Sequence, residues 1–212
     1  MRRLAASLRS SPGGRKRPAL ALIAAVALVV VVAIGLGQAG GKDGGEAAKA
    51  PPFDLKASLR TLAQPPKPPP ALARLYKQAS ALLSGGSGAF HARLRTLRGH
   101  PVVVNKWASW CSPCRAEFPV FQQVATARGK QVAFLGLDAN DKAPAAEQFL
   151  SARPLPYPSY QDPGQKLSRT LQAPDVAPVT IFLDAKGKTA FIHSGQYTSA
   201  RQLSGDIDRY LG

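Results

Sequence analysis

The chain is short of the residues that bind soft metal ions. Its 212 residues include two cysteines, three histidines and one methionine, which is the first residue. A structural zinc site needs about four Cys or His ligands. The histidines stand far from the cysteine pair in sequence, and they are His91, His100 and His193. A zinc site is therefore not expected. Because no cysteine stands directly after the apolar N-terminal run, a lipid-modified N-terminus is not expected either.

Acidic residues are also scarce, at 12 against 28 Lys and Arg, which gives a net charge of +16. Residues 1–17 carry six of the bases and no acid, so residues 18–212 retain a charge of +10. These remaining bases are scattered along helical stretches and are not grouped with aromatic residues. We therefore expect no nucleic-acid partner, and we interpret the surplus as a solvated face near anionic lipid headgroups.

The N-terminal part has the pattern of a membrane anchor. The basic segment 1–17 precedes residues 18–39, which contain no charge and are long enough, at roughly 20 residues, to cross a bilayer as a helix. The positive-inside rule then leaves the rest of the chain outside the cytoplasm, as a single-pass membrane protein. A cleaved signal peptide ending near 37–39 is the alternative, and it would make the protein a secreted one.

Residues 40–70 are rich in Gly and Pro and are predicted to be a semi-rigid linker. Two apolar stretches in this linker, 53–55 and 59–62, are candidates for docking on the domain that follows. That domain is predicted to span 71–212 and to begin with a helix over 71–84. Residues 90–97 fit a short strand or a helix equally well.

Hydrophobic periodicity predicts an alternation of strands and helices from residue 101 onward. The predicted strands are 102–107, 131–137, 179–184 and 188–193, and the predicted helices are 112–127, 143–152, 164–172 and 199–211. Tyr157, Tyr160 and the prolines near them are assigned to a surface loop. The order predicts an α/β domain with a central mixed sheet and helices on both faces.

The two cysteines lie at the junction between the first of these strands and the helix after it, in Trp110-Cys111-Ser112-Pro113-Cys114-Arg115. There the first thiol would sit at the positive end of a helix dipole, which favours a reactive thiolate. A disulfide used only as a staple would stabilise little, since it closes a very short loop. Inert buried cysteines are the other alternative. The pattern favours redox chemistry.

Three segments of the sequence carry a resemblance to a known family. They are 102–119 (VVVNKWASWCSPCRAEFP), 176–184 (VAPVTIFLD) and the glycines Gly187 and Gly195. With these segments the chain resembles the thioredoxin fold, and more closely the bacterial membrane-anchored thiol-disulfide oxidoreductases of the TlpA and ResA type. The resemblance covers about 88–212.

The resemblance implies roles for individual residues. Cys111 would be the attacking thiol and Cys114 the resolving thiol. Pro178 would be a cis-proline facing the cysteine pair, which leaves the backbone at Ala177 free to pair with an extended substrate; a trans-proline that opens an edge strand is the alternative. The other residues expected to line the substrate site are Trp110, Ser112 and Pro113.

Two positions depart from thioredoxin and its relatives. Asn105 stands where thioredoxin has a buried Asp, so the usual proton acceptor behind the resolving thiol is missing. Glu117 matches an acid found in relatives that act in cytochrome c maturation, and we expect it to assist deprotonation of Cys114, or else to stabilise the first turns of its helix. Lys106 replaces a common aromatic residue, and a cation in a central strand must snorkel or pair with an acid.

The sequence thus predicts a membrane-tethered, extracytoplasmic thiol-disulfide oxidoreductase that needs no cofactor. The expected partners are proteins that carry a disulfide or a thiol pair, and a membrane-bound redox partner. The resemblance implies reduction of cytochrome c or copper-centre maturation targets as the direction. Three alternatives stay open: a general disulfide-forming oxidant, a Cu(I)-binding assembly protein that uses the cysteines as ligands, and a peroxide-reducing enzyme.

Overall fold

Helices and strands alternate along residues 52–212, the part of the chain that the computed structural model describes. The strands are β1 Leu82–Leu83, β2 Val102–Trp107, β3 Ala133–Ala139, β4 Ser159–Asp162, β5 Val179–Leu183 and β6 Thr189–Ser194. The helices are α1 Leu55–Ala63, α2 Pro70–Tyr76, α3 Gly86–Thr96, α4 Ser112–Arg128, α5 Ala143–Ala152, α6 Lys166–Thr170 and α7 Ala200–Leu211.

The six strands form one mixed sheet in the order β1-β4-β3-β2-β5-β6. β1, β4, β3 and β2 run parallel to one another, whereas β5 is antiparallel to β2 and β6 is antiparallel to β5. The register pairs Lys106 with Val179, so the carboxyl end of β2 meets the start of β5. The segments after β2 and β3 and the segment before β5 therefore converge at one edge of the sheet.

β2 is the central strand, and all six of its residues are buried. Val103 and Trp107 face one apolar cluster, which α4, α5 and α7 cover. Val102 and Val104 face a second cluster, which α2, α3 and α6 cover. Because side chains alternate along a strand, this near-continuous apolar run is what a strand covered on both faces requires. The predicted mixed sheet with helices on both faces is confirmed.

Helix α4 continues through a proline at its eighth position. Pro119 has no N–H to donate to the carbonyl of Arg115, four residues earlier. The guanidinium of Arg153 donates to that carbonyl instead, at 3.3 Å. The helix therefore runs unbroken for 17 residues and buries Phe118, Phe121 and Val124 against the sheet.

The predicted helix over 71–84 is wrong in its second half. Helix α2 ends at Tyr76, and Ser80 adopts a left-handed φ of 58° that turns the chain. Leu82 and Leu83 then form the edge strand β1, which is parallel to β4. These two leucines fit a helical period, but pairing with β4 satisfies their backbone groups and leads the chain into the sheet.

The predicted surface loop around Tyr157 and Tyr160 is also wrong. Residues 159–162 form strand β4, and both tyrosines are buried. Tyr157 stacks on Phe134 at 5.8 Å between ring centroids, and Tyr160 meets Phe90 edge-to-face at 5.3 Å. The prolines around Tyr157 led to the wrong prediction, since proline within an apolar run argues against a strand.

The remaining elements differ from the prediction at their ends. β3 begins two residues later than predicted and continues to Ala139, and α6 is shorter than the predicted 164–172. The ambiguous segment is helical, within α3. Helix α1 lies inside the predicted linker, and its Leu62 is buried.

The predicted membrane anchor, residues 18–39, and the basic segment 1–17 lie outside the described residues. Within residues 52–212, no helix is long and apolar enough to cross a membrane.

Candidate active site

Cys111 and Cys114 form a disulfide at the start of α4, with their Cα atoms 5.3 Å apart. Cys111 caps the helix, and its Sγ accepts a hydrogen bond from the N–H of Cys114 at 3.2 Å. Cys111 is 4% exposed and Cys114 is fully buried. In the reduced form, the helix N-terminus and this N–H would stabilise a thiolate on Cys111 in preference to Cys114. The geometry therefore suits Cys111 to attack and Cys114 to resolve.

Pro178 lies at the same edge of the sheet as the cysteines, immediately before β5. The Ala177–Pro178 peptide bond is cis, as the resemblance implied. Ala177 packs against the apolar cluster that contains Cys111 and Cys114. The structure thus brings the segment before β5 and the cysteine pair together, and the substrate-pairing role of Ala177 stays a prediction.

Glu117 is buried one helical turn after Cys114 and belongs to the same face of α4. Its Oε2 accepts a hydrogen bond from the N–H of Tyr197 at 3.2 Å, whereas its Oε1 has no partner among the described residues. Burial raises the pKa of Glu117 to about 8, against the opposing effects of the Tyr197 N–H and the Asn105 side chain. Its carboxyl group therefore holds a proton near neutral pH and can release it as the pH rises.

Asn105 lies close to Glu117, on the side of β2 that faces α4. Its side chain lowers the pKa of Glu117 and of the buried Tyr157 hydroxyl, although it makes no hydrogen bond of normal geometry within residues 52–212. Burial raises the pKa of Tyr157. A small polar cluster therefore lies in the apolar core. Sequence reasoning missed Tyr157, because only the position of β4 buries it.

Lys106 points to the opposite face of β2 and is 1% exposed. Its Nζ donates a hydrogen bond to the carbonyl of Pro174 at 2.6 Å. Burial lowers its pKa, while Asp175 and Asp162 act in the opposite direction. Lys106 thus ties β2 to the segment that leads into Pro178. The sequence had left its partner open.

The surface around the disulfide is formed by residues on both sides of Cys111. Trp110 is 61% exposed, and its Nε1 donates to the carbonyl of Asn140 at 3.0 Å. Ser112 and Pro113 are exposed as well. Val176, which the sequence did not single out, is 55% exposed just before Ala177. An exposed apolar side chain therefore precedes the redox pair, and another precedes the segment that leads into β5.

Metal ligands do not gather in this part of the chain. Among residues 52–212, no group of three or more His, Cys, Asp or Glu side chains is placed to hold a metal ion. His193 stacks on Tyr197, with 4.1 Å between ring centroids.

Comparison with known proteins gives a family and a fold. A family model described as Redoxin matches residues 83–205. The chain is similar to the thiol-disulfide oxidoreductase ResA of Bacillus thuringiensis (strain Al Hakam), with 31% identity over 117 residues that cover 55% of this chain and 66% of the relative. It is also similar to the thiol:disulfide interchange protein DsbE of Pseudomonas fluorescens biotype C, with 39% identity over 92 residues, 43% of this chain and 49% of the relative.

A crystal structure of a putative thiol:disulfide interchange protein DsbE from Chlorobium tepidum is similar at 27% identity and a TM-score of 0.51, over 56% of this chain and 85% of that one. The predicted thioredoxin-like fold is confirmed. The chain spans just under two thirds of the length of the ResA relative and about half of the DsbE relative.

Proposed function

Because this chain belongs to the Redoxin family, we propose that it is a thiol-disulfide oxidoreductase that exchanges disulfides with target proteins through Cys111 and Cys114. The observation that carries the proposal is the disulfide at the start of α4, at the same edge of the sheet as Pro178 and one turn before the buried Glu117. The similarity of this chain to relatives named ResA and DsbE supports the same reaction.

The reaction proceeds in two exchanges when the protein acts as a reductant. The Cys111 thiolate attacks one sulfur of a target disulfide, which forms a mixed disulfide and releases the other target sulfur as a thiolate. Cys114 then loses its proton and attacks the Cys111 sulfur, which forms the intramolecular disulfide and releases the second target thiol. Two electrons pass to the target. The reverse sequence oxidises a target dithiol.

Glu117 in its ionised form, which becomes populated as the pH rises toward about 8, is proposed to assist the second exchange by accepting the proton of Cys114. Trp110, Ser112, Pro113 and Ala177 are proposed to contact the target around the mixed disulfide. The exposed Trp110 supplies apolar contact area beside a sulfur that must be reached by another protein.

The assignment of the two thiols is tested by trapping the mixed disulfide. The reduced full chain carrying Cys114→Ser is mixed with oxidised glutathione, and the adduct is measured by mass spectrometry. We expect one glutathionyl group to accumulate on Cys111, whereas the wild-type chain releases it. The matched variant Cys111→Ser should react slowly. If Cys111→Ser reacted as fast as Cys114→Ser, the roles proposed for the two thiols would be wrong.

The role of Glu117 is tested by the pH profile of disulfide exchange. In Glu117→Gln, the exchange rate should lose the rise that accompanies ionisation of Glu117. Glu147→Gln, which changes an exposed acid, is the matched control. An identical profile in wild type and Glu117→Gln would refute the role in proton transfer.

We further propose that the protein works outside the bacterial cytoplasm, tethered to the membrane, and reduces targets in cytochrome c or copper-centre maturation with electrons from a membrane-bound partner. The charge-free run 18–39 behind a basic segment supports the tether. A disulfide persists in such an oxidising compartment.

The reduction potential of the cysteine pair distinguishes the two directions. Equilibration of the full chain against glutathione should give a value near that of thioredoxin, about −270 mV. A value of about −120 mV would instead identify an oxidant that inserts disulfides. The location is tested separately in intact cells with a membrane-impermeant thiol reagent, which should label reduced Cys111 if the domain faces outward. Labelling only after lysis would contradict the proposed location.

A further inference from the structure

The connection between β6 and α7, residues 195–199, contacts two residues of the candidate active site. The N–H of Gly195 donates a hydrogen bond to the carbonyl of Pro178 at 3.0 Å. Two residues later, the N–H of Tyr197 donates to Glu117 Oε2 at 3.2 Å. Within residues 52–212, this is the one hydrogen bond of normal geometry that the Glu117 carboxyl group accepts. The position of the Tyr197 backbone therefore matters for this acid.

The side chain of Tyr197 is held by three elements and is 1% exposed. Its hydroxyl donates to Asp206 Oδ2 on α7 at 2.5 Å. His193 on β6 stacks on its ring, and His193 Nδ1 lies 3.9 Å from the same Asp206 oxygen. Phe121 of α4 meets the ring edge-to-face, with 6.3 Å between ring centroids. Burial raises the pKa of the Tyr197 hydroxyl, and its hydrogen bond to Asp206 acts in the same direction, so the hydroxyl stays a donor in alkaline solution.

Asp206 belongs to a helix that is itself fixed against α4. Leu203 and Ile207 of α7 are buried in the apolar cluster that α4 also enters. Arg128, at the end of α4, pairs with Asp208 of α7 at 2.6 Å. The Asp206 carboxyl group thus keeps a constant place relative to the helix that carries Glu117.

We propose that Tyr197 and Asp206 are positioning residues for Glu117: Asp206 holds the Tyr197 side chain, and this side chain holds the backbone N–H against the Glu117 carboxyl group. A carboxylate accepts such a hydrogen bond more strongly than a protonated carboxyl group does, so the N–H favours ionisation. The ionised form is the one that accepts the Cys114 proton in the second exchange. The inference rests on the proposed function in this role of Glu117.

The other groups around Glu117 supply no positive charge that could replace this N–H. Burial raises the pKa of Glu117, and the N–H of Tyr197 acts against it before the side chain of Asn105 on β2 does. Cys114 lies one turn earlier on α4 and is held in the disulfide. The hydroxyl of Tyr157, which precedes β4, stays protonated because burial raises its pKa. The Tyr197 N–H is therefore the main group that favours ionisation of Glu117.

The test follows the ionisation of Glu117 by nuclear magnetic resonance of the oxidised full chain in detergent micelles, with isotopically labelled glutamate carboxyl groups. The chain has three glutamates, and Glu117→Gln identifies the signal. In wild type, the midpoint should lie near pH 8. In Tyr197→Phe, which lacks the donor to Asp206, the midpoint should rise by about one pH unit, as expected when a hydrogen bond to a charged group is lost. Tyr210→Phe is the matched control, because the Tyr210 hydroxyl makes no hydrogen bond within residues 52–212, and it should keep the wild-type midpoint.

Two substitutions of Asp206 separate its hydrogen bond from its charge. Asp206→Leu and Asp206→Asn both remove the charge, but only Asn keeps an oxygen that can accept the Tyr197 hydroxyl. The Glu117 midpoint should therefore be higher in Asp206→Leu than in Asp206→Asn. The Asp206 side chain is 24% exposed, so this pair also decides the question if Tyr197→Phe does not fold. An unchanged midpoint in Tyr197→Phe, or equal midpoints in the two Asp206 variants, would overturn the proposal.

A second measurement connects the position of the N–H with the reaction. The release of glutathione from its mixed disulfide with Cys111 is followed across the pH range in wild type and Tyr197→Phe. Since one pH unit is a tenfold change in the ionised fraction of Glu117, release near neutral pH should be about tenfold slower in Tyr197→Phe and should recover at high pH. A shifted Glu117 midpoint with an unchanged release profile would refute the positioning role in the reaction. Absence of exchange in wild type would refute the proposed function, and the Glu117 midpoints alone would then decide whether Tyr197 and Asp206 position the carboxyl group.

Discussion

Replacing Glu117 with Gln should make the protein more stable, and the gain should depend on pH. The pKa of Glu117 is raised from its ordinary value of 4.5 to about 8, chiefly because the side chain is buried. The difference is about 3.5 pKa units, and each unit corresponds to about 1.4 kcal/mol. Ionising Glu117 in the folded protein therefore costs about 5 kcal/mol relative to the unfolded chain.

The pH range follows from which state holds the proton. Between about 4.5 and 8, the folded protein keeps the Glu117 proton that the unfolded chain has lost, so stability falls as the pH rises. Below 4.5 both states are protonated, and above 8 the full cost is present. Gln has nearly the same shape as protonated Glu and can accept the N–H of Tyr197 in the same way. Glu117→Gln should thus match wild type at low pH and exceed it by about 5 kcal/mol above pH 8.

The assay is urea unfolding of the oxidised full chain in a non-ionic detergent, followed by tryptophan fluorescence across this pH range. Keeping the disulfide intact prevents the thiols from titrating. Asp138 titrates in the same range, but it does so in both proteins and cancels in the difference. The exposed Glu147→Gln should show no such pH-dependent gain. A stability difference between Glu117→Gln and wild type that is constant with pH would refute the reasoning.

Two further predictions concern stability. Gly136→Ala should lower the unfolding free energy in urea by about 2 kcal/mol, because a Cβ there would lie 2.1 Å from Ser159 Oγ on β4. Gly205→Ala in helix α7, whose Cβ would meet no atom within 4 Å, should raise it by about 1 kcal/mol. Equal effects of the two substitutions would contradict the packing argument. Asp162→Ala should lower the unfolding free energy by about 3 kcal/mol, since the buried carboxyl group accepts hydrogen bonds from the N–H groups of Leu167 and Ser168 at the start of α6. If the loss were as small as that caused by replacing the exposed Asp54 with Ala, these bonds would contribute little.

The redox pair and its helix could be predicted because their signals are local. The buried run of β2, the Cys-x-x-Cys spacing and the helical period after Ser112 all lie within one stretch of chain. The cis bond before Pro178 was predicted from a resemblance, since sequence spacing alone leaves proline isomers open.

The errors arose where distant pairing decides the local structure. The spacing of Leu82 and Leu83 fits the period of a helix, but these residues pair with β4 and form an edge strand. Tyr157 and Tyr160 lie among prolines that suggest a loop, yet the neighbouring β3 provides the register that buries them. A pattern read along the chain contains no information about which strand will be adjacent.

The sequence by itself determined the reactive element: two thiols at a strand-to-helix junction, an acid three residues later and a proline before a late strand. Only the tertiary structure decided the protonation of the groups around them. Glu117 retains its proton because burial in the apolar core raises its pKa, against the opposing effects of the Tyr197 N–H and the Asn105 side chain. Asp138 retains its proton chiefly because it is buried, and the charge of Asp141 acts in the same direction. Desolvation and contact between charges depend on distances in space, and residues far apart in sequence set those distances only once the chain has folded.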